Sequence, residues 1–185
     1  MPETKEVDVL IIGGGINGCG TFRDLCAQGI NCLLLERTDF CAGASAASSR
    51  LMHGGLKYLE TGEFRLVRES AEERNRLLRN AAHYVSPLSS ILPLRSRFGG
   101  IIPSIRRFLR LPARMDDRGS IITRLGLLLY DIYGRSFRVM PTHEMLSRAR
   151  LDRLVPGMDK GIIGAGLYYE GQISHAERLG VELIL

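Results

Sequence analysis

Residues 7 to 36 constrain the fold more tightly than any other part of the chain. Val7 to Ile12 is a short β-branched run that flows into Gly13, Gly15 and Gly18, spaced G-x-G-x-x-G. Helical spacing then takes over from Asn17 to Gln28, with Phe22, Leu25 and Cys26 on one face and Gly29 as a stop. A second apolar run, Ile30 to Leu35, closes on Glu36. Strand, glycine loop, helix and strand in this order define a Rossmann-like βαβ unit, so the fold class is α/β. The glycines allow a tight turn, a backbone close to a pyrophosphate and a helix packed on its strand, and the helix N-terminus faces the phosphates. Glu36 is placed to accept ribose hydroxyls, and its charge disfavours the 2′-phosphate of NADP. FAD and NAD remain open on this evidence. Ala42 to His53, rich in small and hydroxyl residues, offers Ser45, Ser48 and Ser49 to phosphate or flavin oxygens.

With 185 residues, 45% of them hydrophobic, the chain can build one ordinary domain. A net charge of +5 suits phosphorylated substrates or anionic lipid. Nucleic acid is not expected, because the basic residues lack interleaved aromatics or a known reading motif. Cys19, Cys26, Cys32 and Cys41 have neither metal nor redox spacing, so they read as small buried hydrophobes and no metal site is expected. The opening Met-Pro-Glu-Thr-Lys-Glu does not resemble a secretory leader, so a cytoplasmic location is expected. The most apolar stretch, Ile121 to Tyr133, is broken by Arg124 and Asp131 and reads as a buried helix rather than a membrane span.

Further along, Phe64, Val67, Ala71, Leu78 and Ala82 recur at helical spacing, while Arg65 with Glu69 and Arg68 with Glu72 pair across one turn. Gly99 to Met115 is the most basic stretch. It sets Ile101, Ile105, Phe108 and Leu109 against Arg106, Arg107 and Arg110, a pattern for a surface helix packed on the domain or for one lying on anionic lipid. Gly161 to Glu170 reads as a strand, and Ser174 with Glu177 as a capping box. The chain stops among Val181, Leu183, Ile184 and Leu185, an apolar face without a cap, which leads to the expectation of a truncated domain.

Several strings together carry a family resemblance. D-V-L-I-I-G-G-G-I-N-G-C-G, L-L-L-E, A-S-S-R-L-M-H-G-G-L-K-Y-L-E and E-F-R-L-V-R-E-S resemble the N-terminal part of FAD-dependent, quinone-linked glycerol-3-phosphate dehydrogenases. The match runs from about Val7 to Leu78 and resumes at G-L-L-L-Y-D-I-Y-G, Gly126 to Gly134. The resemblance implies that residues 1 to 185 are the N-terminal part of an FAD-binding domain. It also implies a flavoenzyme that oxidises a polyol phosphate, first of all sn-glycerol 3-phosphate to dihydroxyacetone phosphate. Electrons would pass to quinone at the inner face of the cell membrane, in an enzyme that self-associates at full length. By matched position, Gly13, Gly15, Asn17 and Gly18 face the FAD phosphates and Glu36 the ribose, while Ser45, Ser48 and Ser49 line the flavin side. Lys57 and Tyr58 contact the substrate phosphate, for which a cation and a phenol are suitable partners. His53 is read as fixing a turn rather than as catalytic, and no catalytic base is assigned.

Two departures bear on substrate. Lys57 stands where the family usually has Arg, which turns a forked donor into a point charge. Extra sequence at about 98 to 117 reads as a helical, basic insertion with a membrane or partner role. Both fit a relative acting on erythritol phosphate. Past Glu170 no residue is carried over. The competing readings are an amino-acid or sarcosine-type FAD oxidase, and a non-catalytic nucleotide-binding or membrane-surface module. A fragment of this length is expected to be inactive alone.

Overall fold

The computed structural model describes residues 4–109, 111 and 119–185. The chain divides into two compact units, Met1–Leu51 with Ile173–Leu185, and Met52–Gln172.

The first unit is built on β1 (Val9–Ile12), α1 (Ile16–Ala27) and β2 (Cys32–Leu35). The strands pair in parallel, Val9 opposite Cys32 and Ile12 opposite Leu35, as a βαβ crossover requires. Gly29, with φ +78°, turns the chain from helix to strand. The helix packs on both strands. The expectation of fully buried strands is corrected, since Leu10, Ile12 and Leu35 are exposed. The pleat sends alternate side chains to opposite faces, and no described element of this unit covers theirs. The cysteine expectation holds for Cys19 and Cys41, which are buried, but not for Cys26, which is exposed although its sulfur lies 3.3 Å from that of Cys32 on β2.

Helix α6 (Ala176–Glu182) packs on α1. The expected capping box does not form. The N-cap is His175 without a side-chain cap; the Ser174 hydroxyl lies 3.1 Å from His175 Nδ1, and Glu177 pairs with Arg50 at 3.2 Å.

In the second unit, a 3-10 helix (Leu56–Thr61) leads into α2 (Phe64–Asn80). Arg65–Glu69 and Arg68–Glu72 pair at 2.7 and 3.0 Å on its outer side, while Val67, Ala71 and Leu78 are buried and Ala82 lies beyond its end. A sheet sets β6 (Gly164–Ile173) between β3 (Leu51–Met52) and β4 (Val85–Leu94), with β5 (Glu144–Ser147) antiparallel to β6. The last strand starts later than its sequence suggests. Arg148 at the start of α5 (Arg148–Leu154) donates to the carbonyls of Met158 and Ile162, and Asp159 accepts the Gly161 N–H, which holds the preceding residues in a loop. One core joins Leu146, Leu151, Ile162 and Ala165; another joins Leu59, Val67 and Tyr130.

Helix α4 (Ser120–Tyr133) buries only Thr123, Leu127 and Tyr130, whereas Ile121, Leu125, Leu128 and Ile132 are exposed. The expectation of a buried helix is thereby corrected to a helix buried along one stripe. Helix α3 (Ile101–Phe108) forms within the basic stretch, with Ile101 half-buried but Ile105 and Leu109 exposed, so the described residues leave part of its apolar stripe uncovered. Arg110, Met115 and Asp117, and the side chains of Arg107 and Phe108, lie outside the described residues.

Candidate functional site

In the first unit the glycine loop is held from three sides. Gly13 adopts φ +105° and donates its N–H to the Leu35 carbonyl at 2.8 Å, tying the end of β1 to the end of β2. A Cβ on Gly18 would press into the Gly13 carbonyl, so only glycine lets α1 sit this close to the loop. Gly14 donates to the Glu36 carboxylate at 2.7 Å.

Helix α1 starts after Gly15, which has extended backbone and no side-chain cap, and its first turn contains no acid. Its positive end is therefore left for an anion. The Ile16 N–H there donates to Ser45 Oγ at 2.9 Å, where a phosphate oxygen would accept the same bond. Asn17 is exposed on the first turn. Ser48 accepts the Arg50 N–H at 3.3 Å, and Ser48 and Ser49 are exposed. Of the three serines singled out from sequence, Ser45 alone stands at the helix N-terminus.

Glu36 is half-buried and accepts the Thr38 N–H at 2.9 Å and hydroxyl at 3.2 Å in addition to Gly14. Those backbone bonds, Thr38 first and Gly14 next, lower its pKa to about 2. It stays ionised, and its Oε2, bonded to one donor, retains acceptor capacity for a ribose hydroxyl. Cys41, behind the loop, donates its N–H to the Gly14 carbonyl, and burial raises its thiol to about 11, so it is no nucleophile.

In the second unit, His53, Lys57 and Tyr58 fall on one short segment. Gly55 and Gly62, with φ +79° and +74°, bracket the 3-10 helix that carries Lys57 and Tyr58, and Leu59 anchors it in the core. All three side chains are exposed, and Lys57 has no ion pair among the described residues.

Beneath that segment lies a buried polar network that sequence reasoning missed. Glu170 Oε2 accepts the Gly54 N–H at 2.8 Å and the Tyr130 hydroxyl at 3.1 Å, and pairs with Arg74 at 3.5 Å. Arg74 also bonds to Tyr130 and, through two nitrogens, to Asn75 Oδ1. Burial raises the Tyr130 pKa, keeping the phenol protonated as a donor. One signal was available. Arg74 and Asn75 fall on the same α2 face as Val67, Ala71 and Leu78, where a charge needs a buried partner.

The match to known families decides what this arrangement belongs to, because the family model described as FAD dependent oxidoreductase covers residues 8–184. The chain belongs to that family. FAD is the cofactor of the FAD dependent oxidoreductases, and the glycine loop, acid-free helix start and ionised Glu36 fit its adenine-dinucleotide half. This member is 41% identical to a glycerol-3-phosphate dehydrogenase of a Synechocystis species, an alignment spanning 100% of this chain and 31% of that protein. It is 40% identical to the D-erythritol 1-phosphate dehydrogenase of Brucella abortus over 72% of this chain and 23% of that one. The chain therefore spans less than a third of the length of these curated relatives. Among solved structures, the glycerol-3-phosphate dehydrogenase from Bacillus halodurans, complexed with FAD, superposes with TM-score 0.54 and 23% identity, covering 97% of this chain and 24% of that one. That likeness speaks to the fold. No helix among the described residues is long and apolar enough to cross a membrane.

Proposed function

We propose that this chain carries the FAD grip and the phosphate-binding corner of a polyol-phosphate dehydrogenase. The enzyme oxidises sn-glycerol 3-phosphate to dihydroxyacetone phosphate and passes the electrons to a quinone. The observation that carries this reading is the corner itself. Lys57 and Tyr58 stand exposed side by side on a helix fixed by two left-handed glycines, with no ion pair engaging Lys57 among the described residues. A cation beside a phenol is suited to a phosphate dianion. The Synechocystis and Brucella relatives, both named as polyol-phosphate dehydrogenases, support the same substrate class.

Bound FAD supplies the two-electron acceptor for the carbinol hydride. Glu36 holds the adenosine ribose. The α1 N-terminus, with Gly13, Gly15, Asn17, Gly18 and Ser45, holds the pyrophosphate, and Ser48 and Ser49 serve the flavin side. Lys57 neutralises the substrate phosphate and Tyr58 donates to it. Lys57, a point charge, leaves room for a four-carbon substrate such as erythritol phosphate.

A specific observation favours a membrane-facing role for the second unit. Ile102, Ile105 and Leu109 on and just after α3, and Ile121, Leu125, Leu128 and Ile132 on α4, form exposed apolar stripes, with Arg106 and Arg124 exposed on the same helices. Ile105, Leu109 and Leu125 also line a cleft of about 350 Å³ walled mainly by leucine and isoleucine, and the buried Thr123 hydroxyl on its wall has no partner among the described residues. Apolar stripes edged by arginine suit an anionic bilayer surface, and a greasy cleft suits an apolar quinone.

The test is anaerobic flavin bleaching in the FAD-loaded full-length protein with glycerol 3-phosphate, erythritol phosphate and sarcosine. Bleaching by a polyol phosphate, followed by reoxidation with a quinone analogue, is expected. Bleaching by sarcosine alone would overturn the reading in favour of an amine oxidase. For the membrane role, sedimentation with phosphatidylglycerol vesicles should be lost in Ile105→Glu with Leu125→Glu, and unchanged sedimentation would refute it.

A further inference from the structure

We propose that Glu170 is a positioning residue for the substrate corner. Its buried carboxylate fixes the His53-Gly54-Gly55 turn and, through that turn, the placement of Lys57 and Tyr58. The inference rests on the reading of Lys57 and Tyr58 as phosphate contacts.

Glu170 and Arg74 are 3% and 5% exposed, and a buried ion pair of this kind is weak evidence for stability, because well-packed apolar residues commonly serve the core as well. What apolar residues cannot do is accept a backbone N–H. Glu170 accepts that of Gly54 at 2.8 Å, immediately before Gly55, whose carbonyl takes the Tyr58 N–H at 2.8 Å to start the 3-10 helix. The register of the corner is thus set at the amide that Glu170 holds.

The carboxylate is itself immobilised. Arg74 Nη1 donates to the Tyr169 carbonyl at 3.3 Å, and its other nitrogens donate to Asn75 Oδ1 at 3.3 and 3.2 Å. Asn75 in turn donates to the carbonyls of Gly134 and Ser136 at 2.8 and 2.9 Å. Helix α2, the end of α4, strand β6 and the turn are therefore joined at one oxygen. A Cβ on Gly54 would strike the Tyr130 hydroxyl and lie 2.5 Å from Arg74 Nη1, so the turn sits directly against the network with no slack. Polar groups held this closely transmit a displacement rather than absorb it.

The experiment compares the FAD-loaded full-length wild type with Glu170→Met and Glu170→Gln. Glu170→Met removes the acceptor of the Gly54 N–H; Glu170→Gln keeps an amide oxygen there and removes only the charge. We read KM and kcat for glycerol 3-phosphate, and separately the Kd of inorganic phosphate by calorimetry. A positioning role raises KM and the phosphate Kd by about tenfold in Glu170→Met, and by a smaller factor in Glu170→Gln, with kcat within about threefold of wild type. A merely structural role lowers the melting temperature and leaves KM and Kd unchanged in the folded fraction, which overturns the proposal. If Glu170→Met does not fold, the double variant Glu170→Met with Arg74→Met, which leaves no unpaired buried charge, decides by the same readouts. A wild type that turns over no polyol phosphate overturns the parent reading instead, and this inference with it.

Discussion

The backbone N–H of Gly14 donates to the carboxylate of Glu36 at 2.7 Å, joining residues 22 apart in the chain. The acid that closes the second strand is thereby bonded to the loop that closes the first. Together with the Thr38 N–H, this bond holds the Glu36 pKa near 2, against an ordinary value of 4.5. A folded-state value below the unfolded one means that the interaction stabilises the fold above the ordinary carboxylate range and is lost as the pH falls from there toward about 2. Glu36→Gln should therefore flatten the acid limb of melting temperature against pH. Parallel acid limbs for the two proteins would refute the assignment.

Gly18→Ala places a methyl against the Gly13 carbonyl, and backbone cannot swing aside as a side chain can. A loss of about 1–3 kcal/mol is expected, with FAD retention falling further than stability because the glycine loop is what shifts. Flavin absorbance per mole of folded protein measures this. Full flavin content at an unchanged melting temperature would show the close approach to be unimportant.

Asn75 is fully buried and bonds to Gly134, Ser136 and Arg74 at once. Asn75→Ala leaves two carbonyls and a guanidinium short of partners inside the core, at a cost of roughly 2–4 kcal/mol. Urea unfolding checks the figure, and a change under about 0.5 kcal/mol would mean that water or a rearrangement replaces the amide.

Lys57→Arg exchanges a point charge for a fork at an exposed position without a described ion pair. If Lys57 meets the substrate phosphate, KM for glycerol 3-phosphate should fall by about threefold or more, and the ratio of KM values for three- and four-carbon substrates should change. Identical constants for both substrates would remove Lys57 from the site.

The sequence by itself determined the first unit's βαβ frame and its grip, because every part of that motif is local. A strand, a glycine loop, a helix and an acid within 36 residues must come together once the strands pair. Exposed pairs such as Arg65–Glu69 were equally legible, since helical spacing alone brings them into contact. Glu170 was not, because its bond to Gly54 spans 116 residues and no periodicity encodes it. Nor could sequence tell that Ile12 and Leu125 would stay exposed, or that Arg50 would take Glu177 from its expected cap. Apolar patterning states which faces gain by burial, whereas tertiary packing decides which of them find a partner. The corner combines both kinds of information. Its lysine and tyrosine were visible as residue types, but what fixes their backbone is a buried carboxylate that only the folded chain brings beneath them.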